Sequence, residues 1–174
     1  MHLLLPSKIK SQWTNALRSA GRREIGGVLL GELVKPGTFK IVEITIQRSG
    51  GTFSHFVRDP KLHERAIEQF FERTGRNYER FNYLGEWHSH PSFSTQPSRS
   101  DVQSMYRIVS EPSVGANFAA LVIVRLTSRA ELEMSACMFR SGHPVVEARV
   151  YLEHLGSSRL RSWRKRFNWG RWSA

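Results

Sequence analysis

Sulfur is scarce in this sequence, and acid is missing from its end. Cys137 is the single cysteine in 174 residues. No internal disulfide can form, which fits a reducing cytoplasm, and a structural zinc site built from several cysteines is excluded. No window approaches the run of about 18 apolar residues that a membrane-spanning helix needs. The apolar start, Met1 to Pro6, is too short for a signal peptide. No acidic residue follows Glu153, so the charge of the last stretch has one sign. Internal repeats and low-complexity segments are also missing. What remains is an ordinary globular composition, 40% apolar and 24% charged, in a length suited to one domain with one core. Of the net charge of +11, six belong to Arg159, Arg161, Arg164, Lys165, Arg166 and Arg171.

Strand and helix patterns interleave along the chain. His2 to Leu5 reads as a short strand. Pro6-Ser7 opens a helix to Ala20 with Ile9, Trp13, Ala16 and Leu17 on one face, stopped by Gly21. Glu24 to Gly31 reads as a buried strand, and its Gly26-Gly27 pair marks a bulge or a close approach by another group. After the Pro36-Gly37 turn, Phe39 to Gln47 alternates as a hairpin partner, and Ser54 to Arg58 reads as a brief third strand. Asp59-Pro60 starts a helix to about Thr74 that buries Leu62, Ala66 and Phe70. Tyr83 to His90 reads as a strand. Ser98 or Ser100 then caps a helix through Val102, Met105, Tyr106 and Val109. Ala119 to Leu126 is continuously apolar and reads as the central strand. Glu131 to Phe139 is another strand, and Val145 to Leu152 fits a strand or a short helix. The sum is a mixed α/β domain over 1–155, a central β-sheet flanked by helices, with a basic, Trp-rich tail over 156–174.

The chemistry gathers in Gly85-Glu86-Trp87-His88-Ser89-His90-Pro91 and, further on, Pro97-Ser98-Arg99-Ser100-Asp101. Alternation along a strand puts His88 and His90 on one face. Asp101 stands where the next helix begins, close enough in sequence to fold back as a third ligand. Three nitrogen or oxygen ligands with a fourth position left for water are what a catalytic zinc takes. Plain readings stand beside this one. A pair of strand histidines is often just half-buried, and an acid at a helix start is favoured by the helix dipole. Glu24 reads equally as a surface residue at a strand start, and Ser98 as a plain helix cap. Trp87 points to the opposite face and reads as core. Glu86, on the histidines' face, supports the site or is solvated.

These residues together resemble the JAB/MPN+ (JAMM) metallopeptidases. That pattern has an upstream glutamate, a His-x-His-Pro run, an aspartate after ten further residues and a serine three before the aspartate. Here these are Glu24, His88-Ser89-His90-Pro91, Asp101 and Ser98, with Gly26 to Gly31 following the glutamate. The resemblance spans roughly Leu3 to Phe139. It implies a single JAB/MPN-type domain in which His88, His90 and Asp101 bind one zinc. Glu24 would take the proton of the metal-bound water, and Ser98 would donate to the oxyanion. Its intact members cleave isopeptide or peptide bonds after the C-terminus of ubiquitin-like proteins. Short spacing after Asp101 and the single cysteine resemble the compact bacterial members. Some of those sit in anti-phage operons, CBASS among them, beside activating-like and conjugating-like enzymes. The expected substrate is a ubiquitin-like protein or its conjugate, and those operon-encoded enzymes are the expected partners. The alternative is a non-catalytic MPN-like interaction module, using its tail to bind nucleic acid.

In the tail, Leu160, Trp163 and Phe167 would form one apolar stripe if helical, among Arg159, Arg161, Arg164, Lys165 and Arg166. Basic residues interleaved with aromatics suit nucleic acid or an anionic membrane. Packing of the tryptophans on the body, disorder and a protein partner are the other readings. A chain ended after Gly156 is expected to keep peptidase activity. Loss of turnover with fold and zinc content intact would assign the tail a part in the reaction.

Overall fold

Buried glycine-rich and apolar runs pair into one mixed sheet in a computed structural model, which describes residues 1–48, 59–112, 115–153 and 161–162. The elements in chain order are β1 (His2–Pro6), α1 (Ser7–Ala20), β2 (Gly26–Lys35), β3 (Thr38–Ile44), α2 (Pro60–Arg73), β4 (Phe81–Ser89), α3 (Arg99–Ser110), β5 (Ala119–Leu126), β6 (Leu132–Phe139), β7 (Val146–Glu147), β8 (Arg149–Glu153) and β9 (Arg161–Ser162). Among the described residues the sheet has nine strands in the order β7-β6-β5-β4-β2-β3-β1-β8-β9. The β2–β3 hairpin is antiparallel, and β2 also pairs antiparallel with β4. The β4–β5 pair is parallel, as are β1–β3 and β1–β8.

Side-chain alternation divides the core between the two faces. Trp13, Ala16 and Leu17 of α1 join Leu29, Trp87, Val122 and Ala136 on one face. On the other, Met105 and Val109 of α3 pack against Leu121, Ile123 and Cys137, and Phe70 of α2 packs against Val28 and Leu30. The inward stripe of α1 is the one its periodicity predicts, and Gly21 ends it with a φ of 62°. Trp87 is core, with its ring 5.7 Å from that of Trp13 and its indole N–H donating to the Thr45 carbonyl at 2.9 Å.

Two expectations are corrected, and two open readings are narrowed. The run Ala119 to Leu126 is not the middle of the sheet, because β2 takes that place. Leu62 is not buried but 54% exposed, and the inward slot goes to His63. That polar ring is tolerated there because Thr45 Oγ1 lies 2.7 Å from its Nδ1 and Gln47 Oε1 lies 3.1 Å from its Nε2. The Val145 to Leu152 stretch resolves into strands, β7 and β8. Arg161–Ser162 is extended and pairs with β8, which does not fit a helix through the tail's stripe. The rest of that stripe, and the strand expected over Ser54 to Arg58, lie outside the described residues.

Gly85 shows why the histidine strand needs a glycine. Its φ is 140°, and a Cβ there would stand 1.9 Å from the Ala120 carbonyl oxygen of the parallel neighbour. Backbone cannot yield as a flexible side chain can, and the dihedral itself is strained for other residues. Gly85→Ala is expected to lower unfolding free energy by about 3 kcal/mol. A urea midpoint unchanged from that of the parent would contradict this.

Candidate metal centre

The centre is built where β4 ends and α3 begins. Both histidines are buried, on the face opposite Trp87 and towards α2 and α3. Their Nε2 atoms are 3.1 Å apart. The His90 Nδ1 lies 2.8 Å from the Ser94 carbonyl. A carbonyl only accepts, so Nδ1 carries the hydrogen and the neutral ring turns a lone pair on Nε2 towards His88. The loop that supplies this carbonyl is itself anchored. Arg125 donates to the Phe93 carbonyl at 2.8 Å, and the Ser135 hydroxyl donates to that of Thr95.

Asp101 arrives from the first turn of α3. Ser98 is the N-cap: its hydroxyl oxygen accepts from the Asp101 amide at 3.2 Å, and Asp101 Oδ2 accepts from the Ser98 amide at 2.6 Å. This reciprocal capping box fixes the carboxylate as well as the helix start. Its Oδ1 then faces His88 Nε2 at 3.4 Å, and its Oδ2 faces His90 Nε2 at 3.7 Å. One donor atom from each of the three residues lies within 4.8 Å of the others. Two imidazole nitrogens and a carboxylate oxygen are a donor set that suits zinc, with room in its coordination for a water. Crowding two ring nitrogens and an anionic oxygen around one buried point is what a cation would relieve.

Glu24 is brought in by strand pairing. Gly26 stands opposite His88 in the β2–β4 ladder, and the Ser89 amide continues it by donating to the Ile25 carbonyl at 2.8 Å. That register sets Glu24 opposite His90. Residues directly opposite in an antiparallel pair face the same side, so the buried Glu24 shares the histidines' face. Gly26 presents no side chain there. Burial alone would lower the His90 pKa, but the Asp101 carboxylate, the Ser94 carbonyl and the Glu24 charge outweigh it and raise the value. For Asp101, burial pushes the carboxyl up, while hydrogen bonding by His88 and His90 holds it far below the ordinary carboxylate range.

His90 and Asp101 therefore meet His88 at one place, Ser98 comes with Asp101 in the same cap, and strand register sets Glu24 on the same face. Ser98 does serve as the cap, through an oxygen lone pair, and its Oγ lies 2.8 Å from that of Ser100. Residue patterns did not reveal the Ser94 carbonyl or the Arg125 anchor, since a main-chain acceptor has no residue-type signature. Cys137 takes no part: burial pushes its thiol up to about 12, leaving no thiolate nucleophile near neutral pH.

Residues 6–139 match the family model described as prokaryotic homologs of the JAB domain. A protein of Enterobacter hormaechei subsp. hoffmannii (strain UCI 50), named a CD-NTase/cGAS isopeptidase, is 28% identical over 158 residues, covering 86% of this chain and 82% of its own. A protein of Desulfitobacterium hafniense with a solution structure aligns at a TM-score of 0.64 and 18% identity, covering 88% of this chain and 94% of its own. At that identity the likeness is one of fold. No described helix is long and apolar enough to cross a membrane.

Without metal, the two pKa shifts act on stability in opposite pH ranges. The depressed Asp101 value stabilises the fold above the unfolded carboxyl value, near 3.9, and that contribution is lost as pH falls. The raised His90 value stabilises below the unfolded imidazole value, near 6.5, and its contribution is lost as pH rises through the folded value. The gap in melting temperature between the metal-free protein and Asp101→Asn is expected to be widest between about pH 4 and 6.5. A gap that does not vary with pH would contradict the assignment.

Proposed function

The chain belongs to the prokaryotic JAB-domain family, and from that membership we propose that it is a zinc-dependent isopeptidase. It would cleave after the C-terminus of a ubiquitin-like protein joined to another protein, reversing or processing ubiquitin-like protein conjugation in bacterial anti-phage defence. The observation that carries this is the convergence of His88, His90 and Asp101 donor atoms within 4.8 Å, with Glu24 buried on the same face. The relative named as an isopeptidase supports the bond type and the setting.

His88, His90 and Asp101 would hold the ion. Zinc bound there would supply Lewis acidity, lowering the pKa of a water from about 15.7 to about 7. The protein's residues divide the remaining work. Glu24 accepts the water's proton and passes it to the leaving amine, which turns a poor leaving group into a good one. Ser98 uses a lone pair to cap α3, so its hydroxyl hydrogen remains available to donate to the oxygen that gains charge at the scissile carbonyl. Ser100 offers that hydrogen a resting acceptor at 2.8 Å. His90 keeps its ring orientation through the Ser94 carbonyl, and this outer contact fixes which nitrogen faces the ion. Activating-like and conjugating-like enzymes encoded alongside are the partners proposed for this setting, and the cytoplasm is its compartment.

Glu24→Gln is expected to retain about one zinc per chain and to lose roughly 10²–10⁴-fold in turnover of a ubiquitin-like fusion. A chelator should abolish turnover of the parent protein, and added zinc should restore it. Cleavage by Glu24→Gln at the parent's rate would sink the assignment of the base. A purified protein without metal and without cleavage would favour the non-catalytic interaction module.

A further inference from the structure

We infer that Ser89, the residue between the two histidines, is a positioning residue that holds the Glu24 segment against the histidine strand. Ser89 is fully buried and faces away from the histidines, so it does not touch the reacting atoms. Its backbone amide donates to the Ile25 carbonyl at 2.8 Å. In a regular antiparallel pair of this kind the second bond would run from the Ile25 amide to the Ser89 carbonyl. Instead the Ile25 amide donates to the Ser89 hydroxyl oxygen at 3.0 Å. A side chain thus completes the pair at the last rung, just where β4 stops and β2 has not yet begun.

That rung lies one residue from Glu24 and from both histidines. Ile25 follows Glu24, and Ser89 is flanked by His88 and His90. On its other side, β4 is held by β5, where the His90 amide donates to the Val124 carbonyl at 3.0 Å. The histidine strand is therefore fixed independently of Ser89. On the far side of β2 the Gln47 amide donates to the Gly26 carbonyl at 2.6 Å, but the Ile25 amide, between that bridge and Glu24, takes its acceptor from Ser89. Removing the hydroxyl would leave the buried Ile25 amide without its acceptor and free the Glu24 backbone to shift. A displacement of about 1 Å of an acid–base group can cost on the order of 10²-fold in rate. The effect should fall on the chemical step and leave metal and substrate binding in place.

This inference rests on the isopeptidase reading, and the experiment separates the two. Ser89→Ala, Ser89→Cys and Ser89→Thr would be compared with the parent protein on a ubiquitin-like protein carrying a C-terminal fluorophore amide. Zinc content and exchange of the Ile25 amide with deuterium would be measured on the same samples. The expected result for Ser89→Ala is about one zinc per chain, KM within twofold and kcat lowered at least tenfold, with faster Ile25 exchange. Ser89→Thr, which keeps the hydroxyl, should restore kcat and the slow exchange. If Ser89→Ala does not fold, Ser89→Cys, with its weaker acceptor, should show the lowered kcat at unchanged KM. Parent-like kcat in Ser89→Ala or Ser89→Cys would overturn the inference, as would loss of zinc in step with activity. If the parent itself does not cleave the probe, the isopeptidase reading takes that failure. Ile25 exchange then decides the role of Ser89: parent-like protection in Ser89→Ala overturns it, and selective loss of protection there supports it.

Discussion

The register between β2 and β4 is the constraint on which the site depends. Gly26 opposite His88 and Gly27 opposite Trp87 bring the Glu24 carboxylate and the two imidazoles to one face. A slip of one residue would send Glu24 to the α1 side, because side chains alternate along a strand. Several features oppose such a slip. Gly27 lies so close to Thr45 that a Cβ would stand 2.1 Å from its carbonyl oxygen. The Val28 amide donates to the Thr45 hydroxyl at 2.9 Å, and the Trp87 indole reaches the Thr45 carbonyl. The glycine pair is therefore where the neighbouring backbones close up around the segment that carries Glu24.

A second economy lies at the start of α3. A helix N-terminus leaves amides without partners and favours an anion, and a divalent cation also draws a carboxylate. Asp101 meets both demands with one group. A carboxylate has about four lone-pair directions, so accepting from the Ser98 amide leaves others for the histidines' side. The cap would fix the ligand's orientation before any ion arrives. Ser98 works similarly, since capping takes a lone pair from its hydroxyl and leaves the hydrogen free for the donor role proposed above.

Local features were legible in the residues and long-range ones were not. The α1 stripe, a serine cap at Ser98 or Ser100, the strand ending at the histidines and the nearness of Asp101 to them all follow from spacing and side-chain type. The place of β2 at the centre did not, because strand order depends on which distant segments pair, and an apolar run such as Ala119 to Leu126 looks central wherever it is covered on both faces. Leu62 and His63 show the same limit. Hydrophobicity picks leucine for the inside, but the acceptors and donors of Thr45 and Gln47, in the segment just after β3, make histidine the better fit. Glu24 was singled out by family resemblance and not by its own surroundings in sequence, and the ladder shows where it sits. It is the residue that the continued register sets opposite His90.

The loop after His90 carries a constraint of its own. It has no regular secondary structure, yet it links two of the three metal-ligating candidates, so its freedom would become theirs. Three of its carbonyls are taken by side chains outside ordinary ladders: Phe93 by Arg125, Ser94 by His90 and Thr95 by Ser135. Arg125 is held in turn by Glu133 at 3.0 Å, across the β5–β6 pair. These bonds use the sheet as a template for a segment that cannot join it, and ordering it during folding lowers the entropy cost of bringing ligands together around an ion. Phe93 itself stays 52% exposed, which shows that the loop is placed through its backbone and not by burying its largest side chain. An irregular loop can therefore present His90 and Asp101 with much of the definition of the strand and helix on either side of it.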